Sequence, residues 1–346
     1  MAYAIADKRW LVLGLGDTGL SLTRWLLRHG AKVRVADTRD NAAHAAKLGR
    51  DFASVDLISG PYQPSTFADI DGIAISPGVP MSEAPVMAAV AKGIPVVGDV
   101  ELFGQVLATA ADRPKLIGIT GSNGKSTVTT MVGEMCKAAG LNTVIAGNIG
   151  LPVLDALAEA EQAGGTSKPQ CYVLELSSFQ LETTSSLELD AATVLNVTED
   201  HLDRYDDMAH YASAKARIFS RCRHQVLNRE DRYSVAMKSS GNSVSYFARY
   251  APLGPSHFGL SSVRGESWLA HDQMPLMTVA DLPLAGGHNV ANALAALALA
   301  RAIDLPYPPI IEALRRFRGL PHRVEKVMDI GTVGFYDDSK GTNVGA

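Results

Sequence analysis

The segment at residues 118–130, GITGSNGKSTVTT, restricts the fold of this chain more than any other. An apolar run at residues 116–120 predicts a β-strand that ends in this segment, and the residues that follow Gly124 predict a helix. A strand, a short glycine-rich loop and a helix in direct succession form the repeating unit of proteins with a parallel sheet. The segment therefore predicts an α/β fold.

The rest of the chain shows the same succession. Short runs of β-branched residues alternate with amphipathic stretches, which predicts a mainly parallel sheet with helices between the strands. Strands are predicted at residues 10–13, 32–36, 72–75, 94–97, 116–120, 143–146, 172–176, 193–196 and 225–227, with a β-meander at 244–247 and 268–270. The helices are predicted at residues 21–28, 289–303 and 308–317.

A polar stretch at residues 109–114 interrupts this alternation, and we interpret it as a linker. At about 150 residues per domain, a chain of 346 residues accommodates two domains and part of a third. We therefore expect an N-terminal Rossmann-like domain at residues 1–110. A central P-loop-type ATPase domain is expected at residues 111–322, where Gly319-Leu320-Pro321 marks its end.

Composition narrows the functional class. Apolar residues make up 47% and charged residues 20% of the chain, as in globular proteins in general. The net charge of −4 argues against a nucleic-acid-binding protein, which normally carries a basic excess. The longest apolar stretch is too short to span a membrane, so we expect a cytoplasmic protein without membrane association. The scattered cysteines lack CxxC spacing and favour reduced thiols: Cys136, Cys171 and Cys222.

The glycine-rich segment also predicts a phosphate-binding loop. Its glycines allow backbone N–H groups to surround phosphate oxygens, Lys125 adds positive charge, and Ser126 can hold Mg²⁺. The spacing departs from the strict GxxxxGK[ST] pattern because Ile119 stands where that pattern has glycine. A glycine-rich turn with only a structural role is the alternative.

Two further segments carry carboxylates after predicted strands. Glu175 ends the apolar run at residues 171–175, where a buried parallel strand would direct it into the ligand crevice and toward Mg²⁺. The turn at residues 196–203, NVTEDHLD, clusters acids around His201, which suits Mg²⁺ binding or acid–base chemistry. A solvated acid and an ordinary polar turn are the alternatives.

Lys215 lies in the middle of an apolar helical stripe that includes Tyr211 and Phe219. Its buried stem could simply carry the ammonium group to the surface. Alternatively, the lysine is held inward, where desolvation favours the neutral amine. A neutral amine can react with CO₂ to give a carbamate, which would bind Mg²⁺ as a carboxylate does.

The N-terminal sequence GLGDTG at residues 14–19 matches GxGxxG after a strand, and Asp37 follows at the spacing of a dinucleotide-binding fingerprint. Taken alone, this motif favours an NAD-dependent oxidoreductase. The same turn can bind any pyrophosphate at a helix N-terminus, including that of a UDP-sugar. Tight packing without a ligand is the third alternative.

Taken together, these motifs resemble those of the Mur ligase family, and the resemblance covers essentially the whole chain. The branch that it fits best adds D-glutamate to UDP-N-acetylmuramoyl-L-alanine. The segments that carry it are GLGDTGLS (14–21), DTR (37–39), SPGVP (76–80), GITGSNGKSTVTT (118–130), AGNIG (146–150), LELSSFQLE (174–182), NVTEDHLDRY (196–205), HYASAKARIF (210–219), GGHNVANALAA (286–296), GLPHRVE (319–325) and DDSKGTNVGA (337–346).

The resemblance implies ATP-driven amide bond formation in peptidoglycan precursor synthesis. The substrate carboxylate would attack ATP to give an acyl phosphate, and the amino group of D-glutamate would then displace phosphate. The implied cofactors are ATP as cosubstrate, Mg²⁺ at two sites and a CO₂-derived carbamate on Lys215. The implied partners are the two substrates, with the protein acting as a monomer.

The resemblance also implies roles for individual residues. Lys125, His201 and Lys215 match catalytic positions, and the Mg²⁺ ligands match Ser126, Glu175, His201 and Lys215. The positions that match ATP contacts are Gly121, Ser122, Asn123, Gly124, Lys125, Ser126, Thr127, Asn289, Asn292, Arg323 and Asp338. Those that match contacts to the UDP substrate are Asp17, Thr18, Asp37, Thr38, Arg39, Ser76, Pro77, Gly78, Asn148, Ser177 and Gln180. Lys340 and Thr342 match contacts to D-glutamate, and Gly341 departs from the family, which more often has alanine there.

The family has three domains, so residues 323–346 correspond to the start of a truncated third domain. We therefore expect these 346 residues alone to be impaired in turnover. A non-catalytic nucleotide-binding fragment and an NAD-dependent oxidoreductase are the alternative functions.

Overall fold

The structure is a computed structural model that describes residues 5–39, 42–163, 168–323, 325–331 and 333–341. Its strands, β1 to β16 in chain order, are Arg9–Leu13, Lys32–Asp37, Asp56–Ser59, Gly72–Ile75, Val96–Val97, Lys115–Thr120, Thr143–Gly147, Cys171–Glu175, Leu189–Val194, Cys222–Asn228, Ser243–Phe247, His257–Val263, Glu266–His271, Met274–Thr278, Glu325–Ile330 and Val333–Asp337. Its helices, α1 to α11, are Asp17–Arg28, Ala42–Asp51, Ala84–Ala91, Asp99–Ala108, Lys125–Ala138, Val153–Ala163, Ser178–Glu182, Met208–Ala216, Arg232–Ala236, Gly287–Ala302 and Tyr307–Arg316.

The described residues divide into two compact units. The N-terminal unit comprises Met1–Arg113, Ala146–Lys168 and Ser178–Leu187, and the central unit comprises Pro114–Ile145, Pro169–Ser177 and Glu188–Ala346. Each unit has its own sheet and its own buried apolar cluster.

The N-terminal unit is built on a five-stranded sheet in the order β3-β2-β1-β4-β5, in which every pair is parallel. The strand order reverses between β1 and β4, and ligands of open α/β sheets bind outside the carboxyl ends of the strands at such a point. The turn after β1 is the GLGDTG segment at residues 14–19. The fold therefore directs this turn toward the expected ligand crevice.

The central unit is built on a nine-stranded sheet in the order β14-β13-β12-β11-β10-β9-β6-β8-β7. The pairs from β12 through β8 are parallel, whereas β12, β13 and β14 pair antiparallel. Strand β6, which precedes the glycine-rich segment, lies between β8 and β9. The carboxyl ends of these three strands therefore meet at one edge of the sheet.

Helix α10 forms the centre of the buried cluster of the central unit. Every residue from 293 to 300 is fully buried, because the Ala/Leu sequence presents apolar side chains on all faces of the helix. The small alanine side chains permit close packing against α5, the helix that begins in the phosphate loop. The buried cluster thus supports the helix that carries the predicted site.

The structure confirms the α/β fold and corrects details within it. Helix α1 begins at Asp17 rather than at Ser21, because the glycine turn leads directly into the helix. Strand β9 ends at Val194, two residues earlier than predicted. The prediction of a meander at residues 244–247 is wrong, because β11 continues the parallel sheet and only β12–β14 are antiparallel. Within the described residues, no helix is both long and apolar enough to cross a bilayer.

Candidate functional site

In the central unit, three of the predicted segments meet at the carboxyl edge of the sheet. The phosphate loop follows β6, Glu175 ends β8 on one side of it, and Asn196 follows β9 on the other. The strand register pairs Ile119 with Glu175 across β6 and β8. Parallel pairing therefore brings an acidic residue next to the loop, as the sequence predicted.

The loop needs glycine at two positions. Gly121 and Gly124 have φ values of 151° and 82°, which are unfavourable for residues with a side chain. A Cβ atom on Gly124 would also lie 2.6 Å from Oδ1 of Asn292. Gly124 caps the N-terminus of α5, so its backbone conformation directs the first N–H groups of that helix toward the loop.

Two lysines converge on one carbonyl oxygen of this loop. Lys125 Nζ donates to the Gly121 oxygen at 3.0 Å and to the Ser122 oxygen at 2.9 Å. Lys215 Nζ donates to the same Gly121 oxygen at 2.9 Å and lies 4.4 Å from the centre of the Tyr211 ring. Only 1% of the Lys215 surface is exposed. The prediction that Lys215 points inward is therefore confirmed.

The electrostatic environment favours the neutral form of both lysines relative to an exposed lysine. Burial lowers the pKa of Lys215 well below its usual value, the charge of Lys125 lowers it further, and Asp200 acts in the opposite direction. Burial likewise lowers the pKa of Lys125, although Glu175 and Asp200 counteract it. A neutral amine is a nucleophile, so the lowered pKa of Lys215 favours the form that reacts with CO₂.

The side chains at this edge fit a magnesium ion. Glu175 is 1% exposed and Ser126 is 4% exposed, so a carboxylate and a hydroxyl are buried beside the loop. Oxygen ligands of this type are those that Mg²⁺ prefers. His201 is exposed, adopts a left-handed backbone with φ of 55°, and has Nε2 3.7 Å from a carboxylate oxygen of Asp200.

The other residues matched to ATP contacts are distributed around the loop and beyond it. Asn289 and Asn292 are buried on α10 and hydrogen-bond to each other at 3.2 Å. Arg323 lies close enough for its charge to lower the pKa of Lys125. Asp338 and Lys340 are exposed beyond β16, and Thr342 lies outside the described residues. Of these residues, Asn292 on α10 lies directly beside Gly124 of the phosphate loop.

The N-terminal unit contains a separate cavity of about 490 Å³ at the reversal point of its sheet. It contains nine of the eleven residues matched to the UDP substrate, and Ser177 and Gln180 do not line it. The described residues that line it are Gly14, Gly16, Asp17, Thr18, Asp37, Thr38, Arg39, Tyr62, Ser76, Pro77, Gly78, Val79, Pro80, Glu83 and Asn148. Its volume suits a small organic ligand.

Asp37 organises this cavity. Its carboxylate accepts the Leu15 N–H at 2.6 Å and the Arg39 Nη2 at 3.0 Å. Burial would raise the pKa of Asp37, but these hydrogen bonds outweigh burial and hold the pKa below its usual value. Ser76 Oγ donates to the Gly14 oxygen at 2.9 Å, which joins the loops after β1 and β4. Asp37 therefore remains charged and fixes the glycine turn.

Reasoning from the sequence assigned no role to three buried or bonded groups near these sites. Asn196 hydrogen-bonds to the phosphate loop, and the hydroxyl of Tyr211 lies 3.3 Å from Ser122 Oγ. Asp99 is fully buried at the start of α4, and burial raises its pKa to about 6, opposed by hydrogen bonds that include one with Gln180. The NVTEDH turn was a signal for Asn196, whereas no local pattern indicates Asp99.

Comparison with protein families gives two matches in succession. The model for the Mur ligase MurD-like N-terminal domain matches residues 8–98, and the model for the Mur ligase middle domain matches residues 119–300. The first match contains the cavity residues up to Glu83, and the second contains the phosphate loop, Glu175 and Lys215. Each of the two family models therefore contains one of the two glycine-rich motifs, the turn at residues 14–19 or the phosphate loop.

Similar curated proteins extend over nearly the whole chain. The UDP-N-acetylmuramoylalanine–D-glutamate ligase of Methylobacillus flagellatus is 54% identical over 99% of this chain and 73% of its own length. The ligase of the same name from Thiobacillus denitrificans is 54% identical over 100% of this chain and 74% of its own length.

Solved structures share the fold at low identity. The UDP-N-acetylmuramate:L-alanyl-gamma-D-glutamyl-meso-diaminopimelate ligase from Neisseria meningitides has a TM-score of 0.61 at 18% identity, covering 91% of this chain and 99% of that one. The UDP-N-acetylmuramate–alanine ligase from Thermotoga maritima has a TM-score of 0.56 at 21% identity, covering 96% and 74%. Such identities establish similarity of fold alone.

Proposed function

The chain belongs to the Mur ligase family, and on that premise we propose that it joins D-glutamate to UDP-N-acetylmuramoyl-L-alanine at the expense of ATP. One observation carries this proposal: 54% identity over 99% of the chain to a ligase of that name. The phosphate loop beside Glu175 and Lys215 supports it, because ATP-dependent ligation needs a triphosphate site.

We assign the triphosphate of ATP to the loop at residues 121–127 and the first turn of α5. The helix N-terminus offers N–H groups and positive potential, and Lys125 contributes a charge. The ammonium group of Lys125 contacts the Gly121 and Ser122 carbonyls, and it would exchange these contacts for phosphate oxygens. Asn289, Asn292, Arg323 and Asp338 would contact the rest of the nucleotide.

Ser126, Glu175, His201 and a carbamate on Lys215 would hold Mg²⁺ at two sites. When bound, these ions neutralise the repulsion between the triphosphate and the attacking carboxylate. The burial of Glu175 and the depressed pKa of Lys215 support this assignment, because both side chains face a water-poor edge of the sheet. His201 is the most exposed member of the set.

The reaction then proceeds in two steps. An oxygen of the alanyl carboxylate attacks the γ-phosphorus of ATP, the bond to the β-phosphate oxygen breaks, and an acyl phosphate and ADP form. The neutral amine of D-glutamate attacks the acyl carbon to give a tetrahedral intermediate, which expels phosphate and loses a proton. Lys125 stabilises the negative charge that develops on the transferred phosphoryl group.

We assign the UDP part of the substrate to the cavity of the N-terminal unit. The N–H groups at the start of α1 suit a pyrophosphate, and Asp37, Thr38 and Arg39 suit the polar edge of a uridine. Asn148, Ser177 and Gln180 would contact the muramoyl-alanyl end. Lys340 and Thr342 are assigned to D-glutamate.

The cellular setting follows from the proposed substrates. Nucleotide-linked precursors and ATP place the reaction in the cytoplasm, as one step in peptidoglycan precursor synthesis. We propose that the protein acts as a monomer and contacts neither nucleic acid nor a membrane.

An NAD-dependent oxidoreductase rested on the GxGxxG motif alone, and none of the relatives described above is one. A non-catalytic nucleotide-binding module is the remaining alternative, and turnover by these 346 residues alone would exclude it.

The test is phosphate release by the intact protein. We expect release from ATP only when both UDP-N-acetylmuramoyl-L-alanine and D-glutamate are present, with L-glutamate as the matched control. Release with another amino acid instead of D-glutamate would assign the chain to a different ligase of the family. Tight binding of NADH with no phosphate release would support the oxidoreductase.

A further inference from the structure

The turn after β9 contacts the phosphate loop through Asn196 and through Thr198, which bonds to Ser122 and to the Asn123 side chain. The Asn196 side chain bonds to both backbone polar groups of one loop residue. Oδ1 of Asn196 accepts the Asn123 N–H at 2.8 Å, and Nδ2 of Asn196 donates to the Asn123 carbonyl at 3.1 Å. The carbonyl of Asn196 also accepts the Ser122 N–H at 2.9 Å. One residue therefore makes three hydrogen bonds with two consecutive residues of the loop.

The turn is itself held from its other side. Asn228 Nδ2 donates to the Leu195 carbonyl at 2.8 Å, and a carboxylate oxygen of Asp231 accepts the Val197 N–H at 2.9 Å. Asn228 is the last residue of β10, and Asp231 is the N-cap of α9. The Asn196 amide is thus presented to the loop by a fixed support.

These bonds divide the N–H groups of residues 122–127 into two sets. The N–H groups of Ser122 and Asn123 are already used by Asn196. The N–H groups at the start of α5 have no carbonyl acceptor within the helix, since the first turn of a helix leaves its donors unsatisfied. Only this second set is suited to phosphate oxygens without breaking an existing bond.

We propose that Asn196 is a positioning residue that sets the shape of the phosphate loop, and that backbone contacts to phosphate begin at Gly124. The N–H groups of Ser122 and Asn123 then have a structural role and do not bind nucleotide. This inference rests on the proposed binding of ATP. It reduces the number of residues within 121–127 whose backbone N–H groups contact the nucleotide.

The first test compares two asparagines in the intact protein. Asn196→Ala removes both side-chain bonds to Asn123, whereas Asn228→Ala removes bonds to Leu195 and Glu230 that do not touch the loop. We expect Asn196→Ala to raise the KM for ATP about tenfold and to leave the KM for the UDP substrate unchanged. Asn228→Ala leaves the Asn196 amide in place and removes only a support of the turn, so it is expected to lower the Tm and to raise the KM for ATP less than Asn196→Ala does.

An equal rise in the KM for ATP in both variants would overturn the assignment, because the effect would then be general loosening of the turn. An unchanged KM for ATP in Asn196→Ala would overturn it as well. Thermal unfolding of both variants separates a loss of folding from a loss of nucleotide binding.

The second test needs no variant. Amide hydrogen exchange is measured residue by residue with and without the non-hydrolysable analogue AMP-PNP and Mg²⁺. Ser122 and Asn123 are expected to exchange slowly without nucleotide and to change little, whereas Gly124 and Lys125 gain protection when nucleotide binds. Equal gains at all four residues would contradict the division. An absence of any gain in the loop would contradict the proposed ATP site itself.

Discussion

At the scale of single residues, the account depends on Lys215, a lysine with 1% of its surface exposed. Burial of an ammonium group is costly, and the Gly121 carbonyl and the Tyr211 ring offset only part of that cost. The depressed pKa shows how the site resolves this conflict, by favouring the neutral amine. The sequence placed Lys215 on an apolar stripe, but only the fold shows that it meets the phosphate loop.

Replacing Lys215 tests the proposed carbamate. We expect Lys215→Ala in the intact protein to lower kcat by about 10²- to 10³-fold, as is typical when one electrostatic group of an active site is removed. A small carboxylic acid such as acetate is expected to restore part of the activity, because it can occupy the space of the carbamate, whereas bicarbonate restores little. Lys137→Ala, an exposed lysine on α5, is the control. Full activity of Lys215→Ala at limiting Mg²⁺ would exclude the carbamate role.

Asp99 gives a pH-dependent prediction in the N-terminal unit. Burial raises its pKa to about 6 from 3.8, so the folded chain binds this proton more tightly than the unfolded chain does. Stability is therefore lost as the pH rises from about 4 to about 6, and the loss is constant above that range. We expect Asp99→Asn to remove this penalty and to be more stable than the parent at pH 7, by up to about 3 kcal/mol.

Urea unfolding of the parent and of Asp99→Asn from pH 4 to pH 8 measures this effect. The difference in the free energy of unfolding between the two proteins should grow up to about pH 6 and then level off. A difference that does not depend on pH would show that Asp99 is ionised throughout and that its burial is compensated.

At the scale of elements, the junction of β6 and α5 combines a strained loop with the start of a helix. Gly124 has a positive φ, and Asn292 on α10 leaves no room for a Cβ atom beside it. Gly140 has a similar φ of 89° after the other end of α5, but a Cβ atom there would meet nothing within 4 Å. Substitutions at these two glycines therefore distinguish the effect of backbone strain from the effect of a steric clash.

The corresponding prediction compares Gly124→Ala with Gly140→Ala. Gly140→Ala should lose about 1–2 kcal/mol of stability, because alanine at positive φ is strained. Gly124→Ala should lose more, because its Cβ atom would also clash with Asn292. Only Gly124→Ala should weaken nucleotide binding, by about tenfold or more, since it displaces Asn292 and the first turn of α5. Fluorescence titration with a labelled ATP analogue and thermal unfolding supply the two readouts. Equal nucleotide affinities in the two variants would contradict the proposed role of Gly124.

Elements with strong local patterns could be predicted from the sequence. Strand β4 was predicted with its observed bounds, and α10 and α11 to within two residues at each end, because each is a distinct apolar or amphipathic stretch bounded by polar, glycine or proline residues. The direction of β11 could not be predicted, since its short polar run is compatible with either pairing. The pairing partner of an isolated strand is a tertiary property that local sequence does not encode.

At the scale of the whole molecule, two units contribute one predicted site each. Cavity residues belong to the N-terminal unit, and the phosphate loop, Glu175 and Lys215 belong to the central unit. The net charge of −4 is compatible with two anionic ligands, because the positive potential comes from helix N-termini and a few lysines and arginines. Motifs in the sequence indicated both predicted sites, and one of them, the NVTEDH turn, contains Asn196. Asp99 belongs to no such motif, and its burial is visible only in the fold.

This division predicts separable binding defects. We expect Arg39→Ala to weaken binding of the UDP substrate about tenfold while ATP binding stays unchanged, because Arg39 lines only the cavity. Lys125→Ala should weaken ATP binding and leave binding of the UDP substrate unchanged. Arg50→Ala, an exposed arginine outside the cavity, is the control for charge removal. Calorimetric titration of each ligand into each variant measures the effects, and a defect in both affinities from either change would contradict the assignment of one ligand to each unit.

The most direct test of the central claim follows the oxygen atoms of the alanyl carboxylate. The intact protein is incubated with ATP, D-glutamate and UDP-N-acetylmuramoyl-L-alanine that carries ¹⁸O in both carboxylate oxygens. The masses of the products are then measured by mass spectrometry. The account predicts one ¹⁸O in each phosphate released and the other in the new amide carbonyl, because the acyl phosphate transfers its bridging oxygen to phosphate. Unlabelled phosphate, with no amide product, would show that the protein hydrolyses ATP without activating the carboxylate.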